Sequence, residues 1–181
     1  MSDSGLAAFA TPIGTCGIAW RPTGLVGVQL PGSDNGLGRL RRLFPDLAPC
    51  APPDWVEEAI AAIRSLLSGE AVDLGFVPLD FSAVPPFDAA VLRAARAIPA
   101  GRTVTYGAIA AGLGEPKAAQ AVGRALGRNP WPIVVPCHRV TGAAGRAGGF
   151  SAPGGTATKL KLLEIEGALG AQTLPLFANR L

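Results

Sequence analysis

"GRTVTYGAIAAGLGEPKAAQAVGRALGRNPWPIVVPCHRV", residues 101–140, is the most informative stretch of the chain. It contains two short alanine-rich segments, 105–114 and 116–129, joined by a tight Gly-Glu-Pro turn. Each reads as a helix. Two short helices, a small-residue turn and basic surroundings fit a helix-turn-helix. Many helical pairs with glycine turns bind no DNA, so the pattern alone leaves that function open. The next residues, "RNPWPIVVPCHRV", read as a turn into a buried extended segment.

That segment ends in Cys137 and His138, and His138 is the chain's only histidine. A cysteine is a good nucleophile only as thiolate, and an unperturbed thiol near pKa ~8.5 is mostly protonated at neutral pH. An imidazole within reach can take the proton. On an extended strand adjacent side chains point to opposite faces, so direct contact needs a turn here, or else a bridging water. Glu164 and Glu166 are the only carboxylates after Glu115, and either can orient the imidazole. The bland alternative is a structural cysteine beside a satisfied core histidine.

Outward from this stretch, residues 87–101 read as a helix with a Pro-Ala-Gly stop. Residues 142–155 form a glycine-rich loop. No Gly-Lys-Ser/Thr follows it, so it is not a phosphate-binding P-loop. "TATKLKLLEIEGA" closes as a helix with Thr156 as a candidate cap and Leu160, Leu163 and Ile165 as apolar positions. Before the stretch, residues 14–31 alternate around "RPTG" and read as a β-hairpin. "SDNGLGRLRRLF" offers Ser33 or Asp34 as an N-cap for Leu37, Leu40, Leu43 and Phe44. "PDWVEEAIAAIRSLLSG" is the clearest helix, with Asp54 as cap, Gly69 as stop and Val56, Ile60, Ile63 and Leu67 on one face. Residues 71–87 read as a short strand and a proline-rich linker. The expected organisation is an N-terminal domain, 1–84, and a second domain, 85–181.

Composition excludes several classes. The 181 residues are 49% hydrophobic and 16% charged, enough for a core and too apolar for global disorder. No apolar run approaches the roughly 18 residues a membrane helix needs, and the N-terminus lacks a basic region and apolar core of the signal-peptide kind. A cytoplasmic protein is expected. Cys16, Cys50 and Cys137 are too few and too scattered for a disulfide framework or a zinc site. Cys16 and Cys50 read as small hydrophobes. No metal and no cofactor are expected. Residues 1–85 hold five arginines against nine acidic residues, a net of −4. Residues 86–181 hold eleven basic residues against four acidic ones, a net of +7, so the second half is the one suited to a polyanion.

"PCHRV", residues 136–140, resembles the acceptor motif of the O6-alkylguanine-DNA alkyltransferases, also called methylated-DNA–protein-cysteine methyltransferases. The resemblance extends through residues 101–140 and through "GGFSAPGGTATKLKLLEIEG", residues 148–167. It implies an α/β N-terminal domain with a small antiparallel sheet, ribonuclease H-like, and a mainly α C-terminal domain, winged-helix-like, that binds DNA. It implies a monomer on double-stranded DNA, entering the minor groove and rotating an alkylated guanine out of the stack. Cys137 would accept the alkyl group in a single turnover. His138 would take the thiol proton through a water, and Glu166 would fix the imidazole tautomer. Tyr106 would donate to the departing base, and Asn129 would brace the turn before the acceptor. Arg139 would pair with a carboxylate. Gly149, Phe150 and Ser151 would line the lid over the base, Ser151 through its backbone N–H. The carbonyls of Cys137 and Val140 would read the base's amino group.

The resemblance makes residues 117–128 the recognition helix. DNA contacts would fall on Thr105, Lys117, Ala118, Ala119, Gln120, Ala121, Gly123, Arg124 and Arg128, the small residues permitting close approach. Two departures stand out. Gln120 occupies the place of the family's intercalating arginine, with Arg124 one turn on as a substitute. The lid carries an extra Ala-Pro pair in "FSAPGG". Three rival readings remain: a non-repairing damage sensor, a Cys-His thiol enzyme on small molecules, and a sequence-specific regulator.

Overall fold

The computed structural model describes residues 3–169; the end of the second expected domain, residues 170–181, lies outside the described residues. The chain forms two compact units, Met1–Ala83 with Pro130–Val134, and Val84–Asn129 with Val135–Leu181. The expected division at 84/85 is contiguous, whereas here the short segment Pro130–Val134 goes with the first unit.

The first unit is built on a three-stranded antiparallel sheet, β1 (Gly5–Thr11), β2 (Gly14–Arg21) and β3 (Gly24–Gln29), in that order. The β2–β3 hairpin turns where "RPTG" places it. β1 was not legible in the sequence: "GLAAFAT" is built of small residues that carry no clear alternation. Leu6, Cys16, Ile18, Trp20, Leu25 and Val28 are fully buried on the sheet. Burial pushes the Cys16 thiol up to about 11, as suits a cysteine that only packs.

Two helices follow, α1 (Gly38–Leu43) and α2 (Asp54–Leu67). Neither is capped as expected. Asp54 is the first helical residue of α2, not its cap, and its charge sits at the positive dipole end. For α1, neither Ser33 nor Asp34 caps. The buried Gln29 does so from the sheet, its Oε1 accepting from the N–H groups of Arg39 (3.1 Å) and Leu40 (3.3 Å). Its amide in turn donates to Asp34 Oδ1 at 2.6 Å. The expected strand near residue 77 is only a single bridge, Leu25↔Leu79. Pro130 and Trp131 complete the edge of β3: Val28 N–H donates to the Pro130 carbonyl, and Trp131 Nε1 donates to that of Leu25.

The second unit comprises α3 (Pro86–Arg96), β4 (Val104–Thr105), α4 (Tyr106–Gly112), α5 (Ala119–Gly127), a 3-10 turn (Cys137–Arg139), β5 (Val140–Thr141), a second 3-10 turn (Ala143–Gly145) and α6 (Gly155–Ile165). Pro86 opens α3 at the position where a missing N–H costs nothing. α5 buries Val122, Ala125 and Leu126, the i, i+3, i+4 stripe. It packs on α3 and α4. It is shorter than the expected 117–128. Lys117 and Ala118 lie in a turn closed by Ala118 N–H to the Glu115 carbonyl at 2.8 Å, and Arg128 is the C-cap. α6 starts after left-handed Gly154, so Thr156 lies inside the helix and does not cap it.

The largest correction concerns residues 132–139, which are not a strand. Pro130, Pro132 and Pro136 have no N–H to give a ladder. Ile133 and Val134 form a turn, with Ile133 at φ +76°, a left-handed conformation costly for a β-branched side chain. Pro136, at φ −78° and ψ 65°, is the centre of an inverse γ-turn closed by Cys137 N–H to the Val135 carbonyl at 2.8 Å. Arg139 N–H then donates to the Pro136 carbonyl at 2.9 Å, closing the 3-10 turn. The chain thus coils where the sequence suggests extension, and that changes how Cys137 and His138 are presented.

Candidate active site

The parallel pairing of β4 with β5, Val104↔Val140 and Thr105↔Thr141, brings the start of α4 beside the end of the 3-10 turn. Tyr106, first residue of α4, and Cys137, first residue of the turn, therefore line one pocket of about 720 Å³. Gln120, Gly123 and Arg124 line it from α5, and Gly149, Phe150 and Ser151 from the loop before α6. Pocket and lining lie wholly within the second unit.

The residues that follow Cys137 in the same turn belong to a buried ionic network. His138 Nε2 lies 2.8 Å from Glu166 Oε1, with side-chain exposures of 1% and 4%. Arg139 grips the same carboxylate with two N–H bonds, Nε to Oε2 and Nη2 to Oε1, both 2.9 Å. Its Nη1 donates to the Ile98 carbonyl. Burial alone would raise the Glu166 carboxyl, but the His138 and Arg139 donors outweigh it and hold Glu166 at about 2. Burial pushes His138 down, against the pull of Glu166. The imidazole is therefore neutral near pH 7 beside an ionised carboxylate. Nε2 must then carry the proton and donate to Glu166, which leaves Nδ1 as a bare acceptor. Nδ1 is buried and has no protein partner. Glu164, the other candidate carboxylate, is exposed.

Cys137 is 8% exposed and its thiol is pushed up by burial. Opposing that are the Asn129 side chain, the nearby Lys159 charge and the N–H groups of Cys137 and His138, all of which favour thiolate. Asn129 also donates its amide to the Val135 carbonyl at 2.9 Å. The second unit loses the chain after Asn129 and regains it at Val135, so this bond pins the two ends of the detour.

Lys159 is the residue that sequence reasoning missed. It is 0% exposed, donates to the Val140 carbonyl at 2.5 Å, lies 3.4 Å from the Tyr106 hydroxyl and sits over that ring. Burial pushes it down to about 8, against the pull of the Cys137 thiolate. In "TATKLKLL" a lysine reads as a solvated face. The signal was its spacing: Lys159 shares a side of α6 with buried Leu162 and Leu163, at i+3 and i+4.

The other expected residues divide. The Tyr106 hydroxyl lies 3.5 Å from the Gly149 carbonyl, and burial raises its pKa. Gly148, at φ +66°, lies against that ring; a Cβ there would stand 2.7 Å from the Tyr106 oxygen. The Ser151 hydroxyl donates to the Gly127 carbonyl at 2.9 Å, joining the loop to the end of α5. Val140 is fully buried, and its carbonyl is already engaged by Lys159. Thr105 caps α4, its Oγ1 accepting from Ala108 N–H at 3.0 Å. Lys117 is exposed, Ala118 and Ala121 are half-buried, and none of the three lines the pocket. Arg128 also stands outside the lining, its guanidinium forked onto Asp88. Among the described residues no cluster of three or more His, Cys, Asp or Glu side chains could hold a metal, and no helix is long and apolar enough to cross a membrane.

A buried thiol under an open pocket, backed by a neutral imidazole and a carboxylate, defines a cysteine nucleophile class of site. Residues 86–168 match the family described as the 6-O-methylguanine DNA methyltransferase, DNA binding domain. The methylated-DNA–protein-cysteine methyltransferase of Methanothermobacter thermautotrophicus is 35% identical over 157 residues, covering 86% of this chain and 81% of the relative. A DNA base-flipping protein of Thermus thermophilus is 40% identical over 155 residues, 83% of this chain and 99% of its own. The crystal structure of Mycobacterium tuberculosis OGT in complex with DNA superposes with a TM-score of 0.70 at 31% identity, covering 95% of this chain and 98% of that one. The chain belongs to the methylated-DNA–protein-cysteine methyltransferase family.

Proposed function

We propose that this protein repairs O6-alkylguanine in duplex DNA by moving the alkyl group irreversibly onto Cys137. The observation that carries the reading is that Cys137 lines the pocket while the next residue of its turn, His138, is held in a buried pair with Glu166. The thiol proton passes through a water to Nδ1 of His138, while Glu166 stabilises the imidazolium. Sulfur attacks the alkyl carbon, the S–C bond forms and the C–O6 bond breaks. The electron pair moves to guanine, and the Tyr106 hydroxyl supplies the proton that neutralises it. Lys159, beside that hydroxyl and near the thiol, favours both anions. The thioether cannot be reversed by these groups, so one molecule accepts one alkyl group.

In this reading the pair α4–α5 is a winged-helix-like element entering the minor groove. Gln120 or Arg124 fills the gap left by the flipped base. Ser151 and its neighbours close over the base. The first unit is ribonuclease H-like, domains meet near residue 84, and the protein acts as a cytoplasmic monomer. Titration with labelled O6-methylguanine duplex in excess tests the reading. Transfer should stop at one methyl per protein; continued turnover would refute an acceptor role.

A second reading, a non-repairing base-flipping sensor, is favoured by the likeness to the Thermus thermophilus protein and by Gln120. It predicts tight lesion binding with no transfer. The acceptor thiol and its proton acceptor argue for repair.

A further inference from the structure

Asp88 and Arg128 form a two-pronged ion pair: Nε to Oδ2 at 2.8 Å and Nη2 to Oδ1 at 2.9 Å. The carboxylate is 7% exposed and the guanidinium 60%. The pair joins two helix ends with the right polarity. Asp88 stands in the first turn of α3, the positive end of its dipole, and Arg128 caps α5 at its negative end. Arg128 is also the last residue before Asn129, which pins Val135, whose carbonyl holds the Cys137 N–H. Forked Arg–carboxylate pairs fix orientation as well as distance.

We infer that the Asp88–Arg128 pair is a positioning device for the acceptor turn: it holds the end of α5 so that Asn129 keeps Cys137 in place, and Arg128 is not a DNA phosphate contact. The inference rests on the alkyl-transfer reading and gives Arg128 a different task from the one its basic character suggests.

Four variants separate the two tasks. Arg128→Ala removes both. Arg128→Lys keeps a charge for a phosphate but cannot fork onto Asp88. Asp88→Asn leaves Arg128 free for DNA. The exchange Asp88→Arg with Arg128→Asp restores a pair. The measurements are the methyl-transfer rate at saturating O6-methylguanine duplex and the salt dependence of binding to undamaged duplex. Positioning predicts a saturated rate roughly tenfold lower in Arg128→Ala, a fraction of what a 1 Å misplacement can cost. Arg128→Lys and Asp88→Asn should fall alike, the exchange should recover part, and the salt slope should not move in Arg128→Ala or Arg128→Lys. A phosphate contact predicts the reverse: an unchanged saturated rate, a slope shallower by about 0.9 in Arg128→Ala, and rescue by lysine. That outcome, or variants equal to the parent in both measurements, overturns the proposal. Because Asp88 is buried its variants can fail to fold, so the exposed Arg128 variants decide the matter alone. Amide hydrogen exchange at Cys137 in DNA-free protein gives an independent readout. It should quicken in Arg128→Ala whether or not any alkyl group is transferred, and unchanged exchange counts against the device even if the repair reading also fails.

Discussion

The rim of the pocket and the buried network beside Cys137, the floor of the acceptor turn rather than part of the pocket lining, are built differently. In that network His138, Arg139 and Glu166 are nearly inaccessible, and the carboxylate accepts from both neighbours at 2.8–2.9 Å. At the rim, Gln120 and Arg124 are exposed, and among the described residues neither has a side-chain hydrogen bond or ion pair. Ser151 is held by one bond to the end of α5. The difference separates two tasks. Chemistry needs donors and acceptors fixed before the reaction, because a preorganised site pays no reorganisation during it. Recognition of a deformable duplex needs side chains that can still choose partners. Of the two departures expected from the resemblance, Gln120 lines the pocket, while the Ala-Pro pair, residues 152–153, only follows the lining residue Ser151.

If the floor is preorganised, the largest effect belongs to Glu166→Gln. The change removes the charge shared by His138 and Arg139 and leaves a buried guanidinium poorly compensated. Stability should fall by about 3 kcal/mol in denaturant melts, and single-turnover transfer by roughly a hundredfold or more as the imidazole loses its anchor. The share of the parent's acid sensitivity that Glu166 carries should vanish with it. Glu166 is held at about 2 against an ordinary 4.5, so its contribution is complete above pH 4.5 and is lost as pH falls toward 2. A variant with unchanged transfer would show that the network is only structural.

Lys159→Met should separate stability from activity. A buried lysine pushed from 10.5 down to about 8 disfavours the folded state below that range. The unfolded chain binds more protons between these values, so the parent gains stability relative to the variant as pH rises from 8 to 10.5. At pH 7 the methionine variant should melt higher and transfer about tenfold more slowly. Slower melting gains with undiminished transfer would remove Lys159 from the floor.

Gly148→Ala lies between the two regions. Its methyl would crowd the Tyr106 hydroxyl at a left-handed φ, a strain of about 1 kcal/mol or more. Transfer should slow several-fold with little change in affinity for undamaged DNA; equal losses in both would place the defect in the rim. The smallest effect is expected at the rim itself. Gln120→Arg should steepen the salt dependence of duplex binding by about 0.9 and strengthen binding severalfold at low salt, with the saturated transfer rate unchanged.

The two regions also differed in how far the sequence disclosed them. Cys137, His138 and Tyr106 were legible because residue type and motif carry the chemistry. α2 was legible because Val56, Ile60, Ile63 and Leu67 repeat at helical spacing. Interactions made across the fold were not. Gln29 capping α1, Asp88 forking onto Arg128 and Lys159 reaching Val140 join residues 10 to 40 positions apart, where local spacing carries no signal. The apolar run before Cys137 read as a strand because its hydrophobicity is that of one, but its prolines removed the donors a strand needs.

In the proposed reaction Cys137 ends carrying the alkyl group. Intact-protein mass after mixing with a duplex holding one O6-methylguanine, beside Cys137→Ser, tests it most directly. The expected result is a gain of one methyl that maps to Cys137 and is absent from the serine variant. Tight binding to the lesion duplex with no gain in mass would contradict it and make the protein a sensor.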